Sequence, residues 1–408
     1  MKIKLHHPSQ VANGTLTITG SKSESNRLLV LQALFPQIEI QNLSNSDDSK
    51  ATREGLKSKD NIIDIHHAGT AMRFLTAYFA TRPNKRVVLT GSKRMQERPI
   101  KLLVEALNSL GGDITYEKEV GFPPLIIKGK EIFKNLVSLP ANMSSQYISA
   151  LMLIAPSLKG GLTIDLIGET TSVPYIKMTQ SILDKLGLNT TFEGGKITVK
   201  PQTSIEPIRW TVESDWSSAS YFYSIVVLAA KSEITLNSYL EESKQGDADL
   251  SVIYEKLGVK TSYIDGKIKL TKLEGFIPPS YISLNLKNTP DLAQTIAVTC
   301  LGMQVQCNLT GLGTLKIKET DRLMALKIEM EKLGAKVNIT DTSLELIDSR
   351  NINSNIAIDT YNDHRMAMAF APLGLKVPIT INNAGVVSKS YPSFWDDLKR
   401  IGFDQNIF

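Results

Sequence analysis

The chain has 408 residues, 42% of them hydrophobic and 21% charged, a composition that can fill two or three domain-sized cores. Its 46 basic and 41 acidic side chains leave a net charge of only +5, and no long basic block occurs, which argues against a nucleic-acid scaffold. Cys300 and Cys307 lie in apolar surroundings without metal-ligand spacing and read as buried thiols of a reducing compartment. The first residues lack the apolar stretch of a signal peptide, and the longest apolar run, 221–230, is too short to span a bilayer, so a cytoplasmic location is expected.

In chain order, a strand over 15–19 precedes a helix over 25–35 and a strand at 38–40. A helix over 71–80 leads to a strand over 87–90, and a helix over 101–110, stopped by Gly111, leads to 113–116. The alternation continues with helix 145–155 and strand 162–165, then helix 175–186, Gly187 and strand 189–192. After a turn-like Val212-Glu213-Ser214-Asp215 come helix 218–230 with strand 233–236, and helix 250–257, Gly258 and strand 259–263. Helix 292–301 with strand 306–310, helix 323–333, Gly334 and strand 336–339, and helix 365–375 with strand 378–381 complete the series.

Two kinds of helix alternate. Four are amphipathic and end in Leu-Gly, a C-cap signal, at a spacing of roughly 70–76 residues. Six are rich in small residues and nearly uniform on all sides, which implies burial on every face. The reading is α/β: six copies of a β-α-β-α-β-β unit, three per domain, with the domain boundary at the turn near Asp215. A dinucleotide fold is excluded, because no G-x-G-x-x-G follows a strand and no phosphate-loop motif is present.

Charged residues gather where predicted helices begin. That is a poor place for a core and a good one for an anion, since helix N-terminal N–H groups already favour negative charge. In Gly20-Ser21-Lys22-Ser23-Glu24-Ser25-Asn26-Arg27, Ser21 or Ser23 is a natural N-cap, and Ser23 and Arg27 fall one turn apart. The bland reading of this segment is a capped helix with solvated charges. In His66-His67-Ala68-Gly69-Thr70-Ala71-Met72-Arg73, Gly69 lets the backbone approach a ligand closely, while adjacent histidines point apart and do not indicate a metal.

Arg94 and Arg98, ahead of Pro99, suit either an anion or a surface salt bridge. Ser144, Ser145 and Gln146 suit either capping or a phosphate or sugar-like ring. Asp291 either caps the helix that Pro290 opens or takes a proton from a substrate hydroxyl. Lys318-Glu319-Thr320-Asp321-Arg322 puts a potential proton donor, Glu319, beside two cations. Tyr361-Asn362-Asp363-His364-Arg365-Met366 adds Arg365, and Lys389 is a further basic residue in a loop before a helix.

Together and in this order, these segments resemble the EPSP synthase family of enolpyruvyl transferases, over nearly the whole chain from Gly20 to Pro392. The resemblance implies a two-domain enolpyruvyl-transferase-like fold, an inside-out α/β barrel. Residues 1–19 plus 215–408 would form one domain and 20–214 the other, with the active site in the cleft between them. It implies transfer of the enolpyruvyl group of phosphoenolpyruvate to the 5-hydroxyl of shikimate 3-phosphate, with release of phosphate and without metal or organic cofactor.

Carried over position by position, Lys22, Ser23, Arg27, Ser144, Ser145, Gln146, Ser172, Tyr175, Asp291 and Lys318 resemble the shikimate 3-phosphate pocket. Lys22, Gly69, Arg98, Gln146, Arg322, Arg365 and Lys389 resemble the phosphoenolpyruvate pocket. Asp291 resembles the base for the 5-hydroxyl, and Glu319 and Lys22 resemble the groups that deliver and recover protons at the enolpyruvyl carbons. The family is usually monomeric, so a monomer with small-molecule substrates and no nucleic-acid or membrane partner is expected. Phe74 stands where many members carry Pro, His67 where Asn is frequent, and Thr314 where an Asn often precedes the Lys-Glu-Thr-Asp-Arg motif.

Charge counting is consistent with this assignment. Each substrate carries a carboxylate and a phosphate monoester, roughly −5 to −6 in all at neutral pH. Lys22, Arg27, Arg98, Lys318, Arg322, Arg365 and Lys389 supply seven positive charges. They must offset a repulsion of about 4 kcal/mol per unit-charge pair at about 4 Å and an effective dielectric near 20.

Two other readings compete. A UDP-N-acetylglucosamine enolpyruvyl transferase relies on a mobile-loop Cys, and neither cysteine here has that context. An RNA-end or phosphate-binding module of related fold would show basic stripes interleaved with aromatics.

Overall fold

A parallel pair of strands bridged by a buried helix is the element from which the chain is built. Strands Ile62–Asp64 and Arg86–Thr90 pair in parallel (Ile63 opposite Leu89). The helix Gly69–Ala80 makes the crossover that parallel pairing requires. The hairpin Ile114–Tyr116 and Leu125–Lys128 then adds antiparallel to Arg86–Thr90. The computed structural model, which describes residues 1–168, 170 and 173–408, repeats this strand order in five four-stranded sheets. A sixth sheet has only two strands, Ile208–Thr211 and Ile38–Gln41, because the chain runs from the helix Asp47–Lys57 almost directly into Ile62–Asp64.

The six sheets divide between two units, Met1–Thr19 with Glu213–Phe408 and Gly20–Val212, each with its own hydrophobic core. The chain passes from one to the other between a strand and the helix that follows it. Strand Val11–Leu16 precedes the helix Lys22–Leu34 but pairs with Lys231–Asn237; Ile208–Thr211 precedes the helix Trp216–Leu228 but pairs with Ile38–Gln41. Gly20 marks the first passage. A Cβ there would lie 1.9 Å from the Asn42 carbonyl oxygen, so only glycine fits.

The small-residue helices lie inside, as their lack of a polar face predicts. Gly69–Ala80 is buried except at Tyr78, Ser145–Ile154 except at Gln146, Trp216–Leu228 except at Ser217, and His364–Phe370 throughout. Two of these exceptions, Gln146 and Ser217, sit in the first turn of a helix, where burial would otherwise be complete.

Local chemistry moved several predicted boundaries. The helix expected from residue 25 starts at Lys22, because Ser21 caps it and its Oγ accepts the Glu24 N–H. The predicted helix over 365–375 is α-helical at His364–Phe370 and then tightens to a 3₁₀ segment, Ala371–Leu375, where Pro372 cannot donate. The helix predicted over 323–333 begins at Arg322 with Asp321 as its cap, so Lys318 lies ahead of it. Among the described residues no helix is long and apolar enough to cross a membrane.

Candidate active site

In Gly20–Val212, three helix starts carry the predicted residues. At the first, Lys22 Nζ stands 4.0 Å from Asp48 Oδ2, and Asp48 Oδ1 also accepts from Asn26. Arg27 is 2% exposed and commits four of its N–H groups to protein. Nε donates to Thr179 Oγ1 at 2.7 Å and Nη1 to the Ser23 carbonyl at 2.7 Å. Nη2 donates to Ser149 Oγ at 2.9 Å and to the Tyr175 carbonyl at 3.3 Å. Its guanidinium lies over the Phe74 ring at 5.6 Å, so the departure from Pro at that position supports Arg27. Burial pulls the Arg27 guanidinium down to about 10. Ser23 meets Arg27 through its backbone oxygen, not its hydroxyl.

At the second start, two guanidiniums close on Gly69. A Cβ at Gly69 would meet Arg98 Nη1 at 2.6 Å and Arg73 Nη1 at 3.0 Å. Arg73, 6% exposed, donates to the Gly69 carbonyl at 2.8 Å and lies 5.9 Å from the Tyr147 ring centre. Burial first, then the neighbouring Arg98 charge, lower it to about 10. Arg98 Nε is sealed from solvent and makes no hydrogen bond. Two cations beside one helix N-terminus, one with an unused donor, suit an anion.

The third start lies alongside. Ser144 Oγ accepts from the Gln146 N–H, and Gln146 Nε2 donates to Thr70 Oγ1 at 3.4 Å. Ser145 is buried, and Tyr175 is half-buried. Ser172 lies outside the described residues.

In the unit built from Met1–Thr19 and Glu213–Phe408, Asp291 is clasped between two guanidiniums. Oδ1 accepts from Arg322 Nη1 at 2.9 Å, Oδ2 accepts from Arg365 Nη2 at 3.0 Å, and Lys318 Nζ stands 3.9 Å from Oδ1. Asp291 lies within the 3₁₀ turn Pro290–Leu292 rather than at its cap, which is Thr289. Arg322, 2% exposed, also donates from Nη2 to Glu319 Oε2 at 2.9 Å and from Nε to Asp363 Oδ2 at 2.7 Å. Burial alone would lower the Arg322 guanidinium, but Asp363, Glu319 and Asp291 outweigh it and raise it. Arg365 rises for the same reason, chiefly through Asp291. Lys389 Nζ donates to the Asn362 carbonyl at 2.5 Å.

In one unit Lys22, Ser23, Gly69, Ser144, Ser145 and Gln146 stand at helix starts and Arg98 reaches Gly69 from a loop; in the other, Asp291, Lys318, Glu319, Arg322 and Arg365 lie around one carboxylate. Sequence reasoning gave no role to Arg73, although it stood in the quoted Gly69 motif, nor to Asp363, which stood beside Arg365. It also passed over Ser217 and Asp247, which follow Arg365 in the hydrogen-bond chain. The intermediate exposure of Ser217 in a helix otherwise buried is a signal that only the fold reveals.

The family model for EPSP synthase (3-phosphoshikimate 1-carboxyvinyltransferase) matches residues 53–398. A 3-phosphoshikimate 1-carboxyvinyltransferase of Bacteroides fragilis is 43% identical, covering 99% of this chain and 98% of the relative. One from a Marinomonas species is 35% identical, covering 95% and 97%. The EPSP synthase of Acinetobacter baumannii superposes with a TM-score of 0.79 at 21% identity, covering 100% of both chains. The enolpyruvyl transferase NikO of Streptomyces tendae gives 0.74 at 14% identity, covering 99% of this chain and 98% of that one. These two structures bear on the fold, which is that of enolpyruvyl transferases. With the family model and the full-length relatives in agreement, the chain belongs to the EPSP synthase family.

Proposed function

We propose that the chain carries out carboxyvinyl transfer with the residues just described. It moves the enolpyruvyl group of phosphoenolpyruvate to the 5-hydroxyl of shikimate 3-phosphate and releases inorganic phosphate, a step toward the aromatic amino acids. The observation that carries the assignment of roles is the Asp291 carboxylate held between Arg322 and Arg365 with Glu319 on the same guanidinium.

Chemically, a carboxylate whose oxygens both accept from guanidiniums is a poor proton acceptor. When the phosphoenolpyruvate carboxylate engages Arg322 and Arg365, Asp291 gives up part of that clasp and can accept the 5-hydroxyl proton. The 5-oxygen then bonds to C2 of phosphoenolpyruvate while Glu319 or Lys22 protonates C3, giving a tetrahedral adduct. In the second half the C2–O bond to phosphate breaks, phosphate leaves, and C3 returns a proton to the same pair.

Lys22, Arg98, Gln146 and Lys389 receive the phosphate, with Gly69 admitting it close to the backbone. Ser23, Arg27, Ser144, Ser145, Ser172, Tyr175 and Lys318 receive shikimate 3-phosphate. Fixed cations aimed at developing charge are the largest available contribution to such a barrier. Cys300 and Cys307 are fully buried, and contact with Cys307, then burial, pushes the Cys300 thiol well up, which suits neither for the proton-donor role of the sugar-nucleotide enzyme.

The test mixes the purified chain with both substrates and follows phosphate release. Release that requires both substrates and yields the enolpyruvyl ether supports the reading. Release from phosphoenolpyruvate alone, or none, defeats it. The monomeric state belongs to the same proposal and is read by light scattering.

A further inference from the structure

Asp247 carries a carboxyl group that the reaction above does not use. It lies in the 3₁₀ turn Gly246–Asp249 and is 5% exposed. Oδ2 accepts a short hydrogen bond from Ser217 Oγ. Oδ1 is sealed from solvent and has no hydrogen-bond partner. Ser217 Oγ in turn accepts from Arg365 Nη2 at 3.3 Å, the nitrogen that donates to Asp291 Oδ2 at 3.0 Å. One guanidinium nitrogen is therefore shared between the proposed base and a serine backed by a second carboxyl.

The two protonation states of Asp247 differ in consequence. Ionised, it leaves a charged oxygen unpaired in the interior, an expensive state, and adds a negative charge behind the cation that an anionic substrate must use. Neutral, it carries its proton on Oδ1, keeps the Ser217 bond, and leaves the charge of Arg365 to the ligand. The charged groups facing it are Asp291, Arg365 on His364–Phe370 and Asp215 at the start of Trp216–Leu228. Burial, then Asp291, push the carboxyl up to about 7, against the pull of Arg365.

We propose that Asp247 is a positioning residue that takes up a proton as an anionic substrate group engages Arg365. The inference rests on the reading that phosphoenolpyruvate binds at Arg365. A new anion beside Asp247 makes its ionised form costlier still, so binding and protonation favour each other. Above neutral pH, binding must draw a proton from solvent. Below it, the proton is already in place.

The experiment titrates phosphoenolpyruvate, with shikimate 3-phosphate present, into wild-type protein and Asp247→Asn by calorimetry in buffers of different ionisation heat. At about pH 7.8 the wild type should take up on the order of half a proton more per ligand than the variant, and at about pH 6 the difference should vanish. The KM for phosphoenolpyruvate should rise several-fold from about pH 6 to about pH 8 in the wild type and stay flatter in the variant, whose amide imitates the neutral acid. Ser217→Ala keeps Asp247 but breaks the bridge, and it should weaken the pH dependence of KM if the Asp247→Asn variant proves poorly folded.

Equal proton uptake in wild type and Asp247→Asn, or a KM raised uniformly with an unchanged pH profile, overturns the role of Asp247. Normal turnover alongside that result leaves the functional reading standing. Failure of phosphoenolpyruvate to bind at all overturns both.

Discussion

Asp363 accepts Arg322 Nε at 2.7 Å while its other oxygen accepts the backbone N–H of Arg365 at 2.8 Å. A wholly buried carboxylate thereby fixes the Arg322 guanidinium and the start of the helix that carries Arg365. Removing one partner of a buried pair leaves the other charge uncompensated, which costs roughly 3–5 kcal/mol. Asp363→Ala should lose that much in urea unfolding. Asp363→Asn, which keeps the acceptor for Arg365, should lose less. A loss below about 1 kcal/mol for the alanine variant would mean that the clasp does not depend on Asp363.

Gly69→Ala tests the other unit. The added methyl lies 2.6 Å from Arg98 Nη1, the far end of a flexible side chain, so the arginine moves and the fold does not. We expect the KM for phosphoenolpyruvate to rise about tenfold or more, equivalent to about 1.4 kcal/mol, with kcat changed far less. A KM within about twofold of wild type would place the phosphate elsewhere.

Glu319→Gln separates proton transfer from electrostatics. The amide can still accept from Arg322 but cannot shuttle a proton. The loss of a general acid–base group is typically about 10²–10⁴-fold, and here it should fall on kcat with little change in substrate affinity. An unchanged kcat would transfer the role to Lys22 alone.

Asp247 also makes a prediction about stability. Its carboxyl rises from the ordinary 3.8 to about 7 in the folded protein, so between those values the native state holds more protons than the unfolded one. Stability associated with this group therefore falls as pH rises from about 4 to about 7, and the loss is complete above that. Asp247→Asn removes the penalty. Its melting temperature relative to wild type should climb across that window, and a difference independent of pH would contradict the burial argument.

How much of this was legible in the sequence depends on the physical signal each residue leaves. The buried helices announced themselves, because a segment such as Trp216–Leu228 has no polar face to offer water. Asp47–Lys57 left a weaker trace. Its sequence is almost wholly polar, and only Thr52, Gly55 and a few neighbours turn inward. The clasp on Asp291 could be anticipated only as a set of charges, since Lys318, Arg322 and Arg365 are joined to it by no spacing rule. Arg27 illustrates the limit in the other direction. Its motif placed a cation at a helix start, but only the fold shows that Thr179, Ser149 and the Tyr175 carbonyl, from distant parts of the chain, orient its guanidinium. Asp247 had no motif at all; only its burial beside Ser217 distinguishes it.

The loop that delivers Arg365 is held from below. Tyr361 and Asn362 both take left-handed conformations, with φ of 52° and 56°; asparagine tolerates this readily, whereas a tyrosine rarely adopts it without support. The support is the buried Glu329 carboxylate: it accepts Tyr361 Oη at 2.6 Å, the Asp359 N–H at 3.1 Å and Lys332 Nζ at 2.9 Å. Burial, then the bond to Glu329, keep the Tyr361 phenol well above its usual range, so it remains a donor at every working pH. Tyr361→Phe removes one hydrogen bond to a charged group, worth about 1.5–3 kcal/mol, and leaves Glu329 its other donors. Urea unfolding should show that loss, and the KM for phosphoenolpyruvate should rise several-fold, because Lys389 bonds to Asn362 in the same turn. Unchanged stability would mean that the left-handed turn is held by its other contacts, such as the bond from Asn383 Nδ2 to Asn362 Oδ1 at 2.8 Å. Lost stability with an unchanged KM would uncouple the turn from the placement of Arg365.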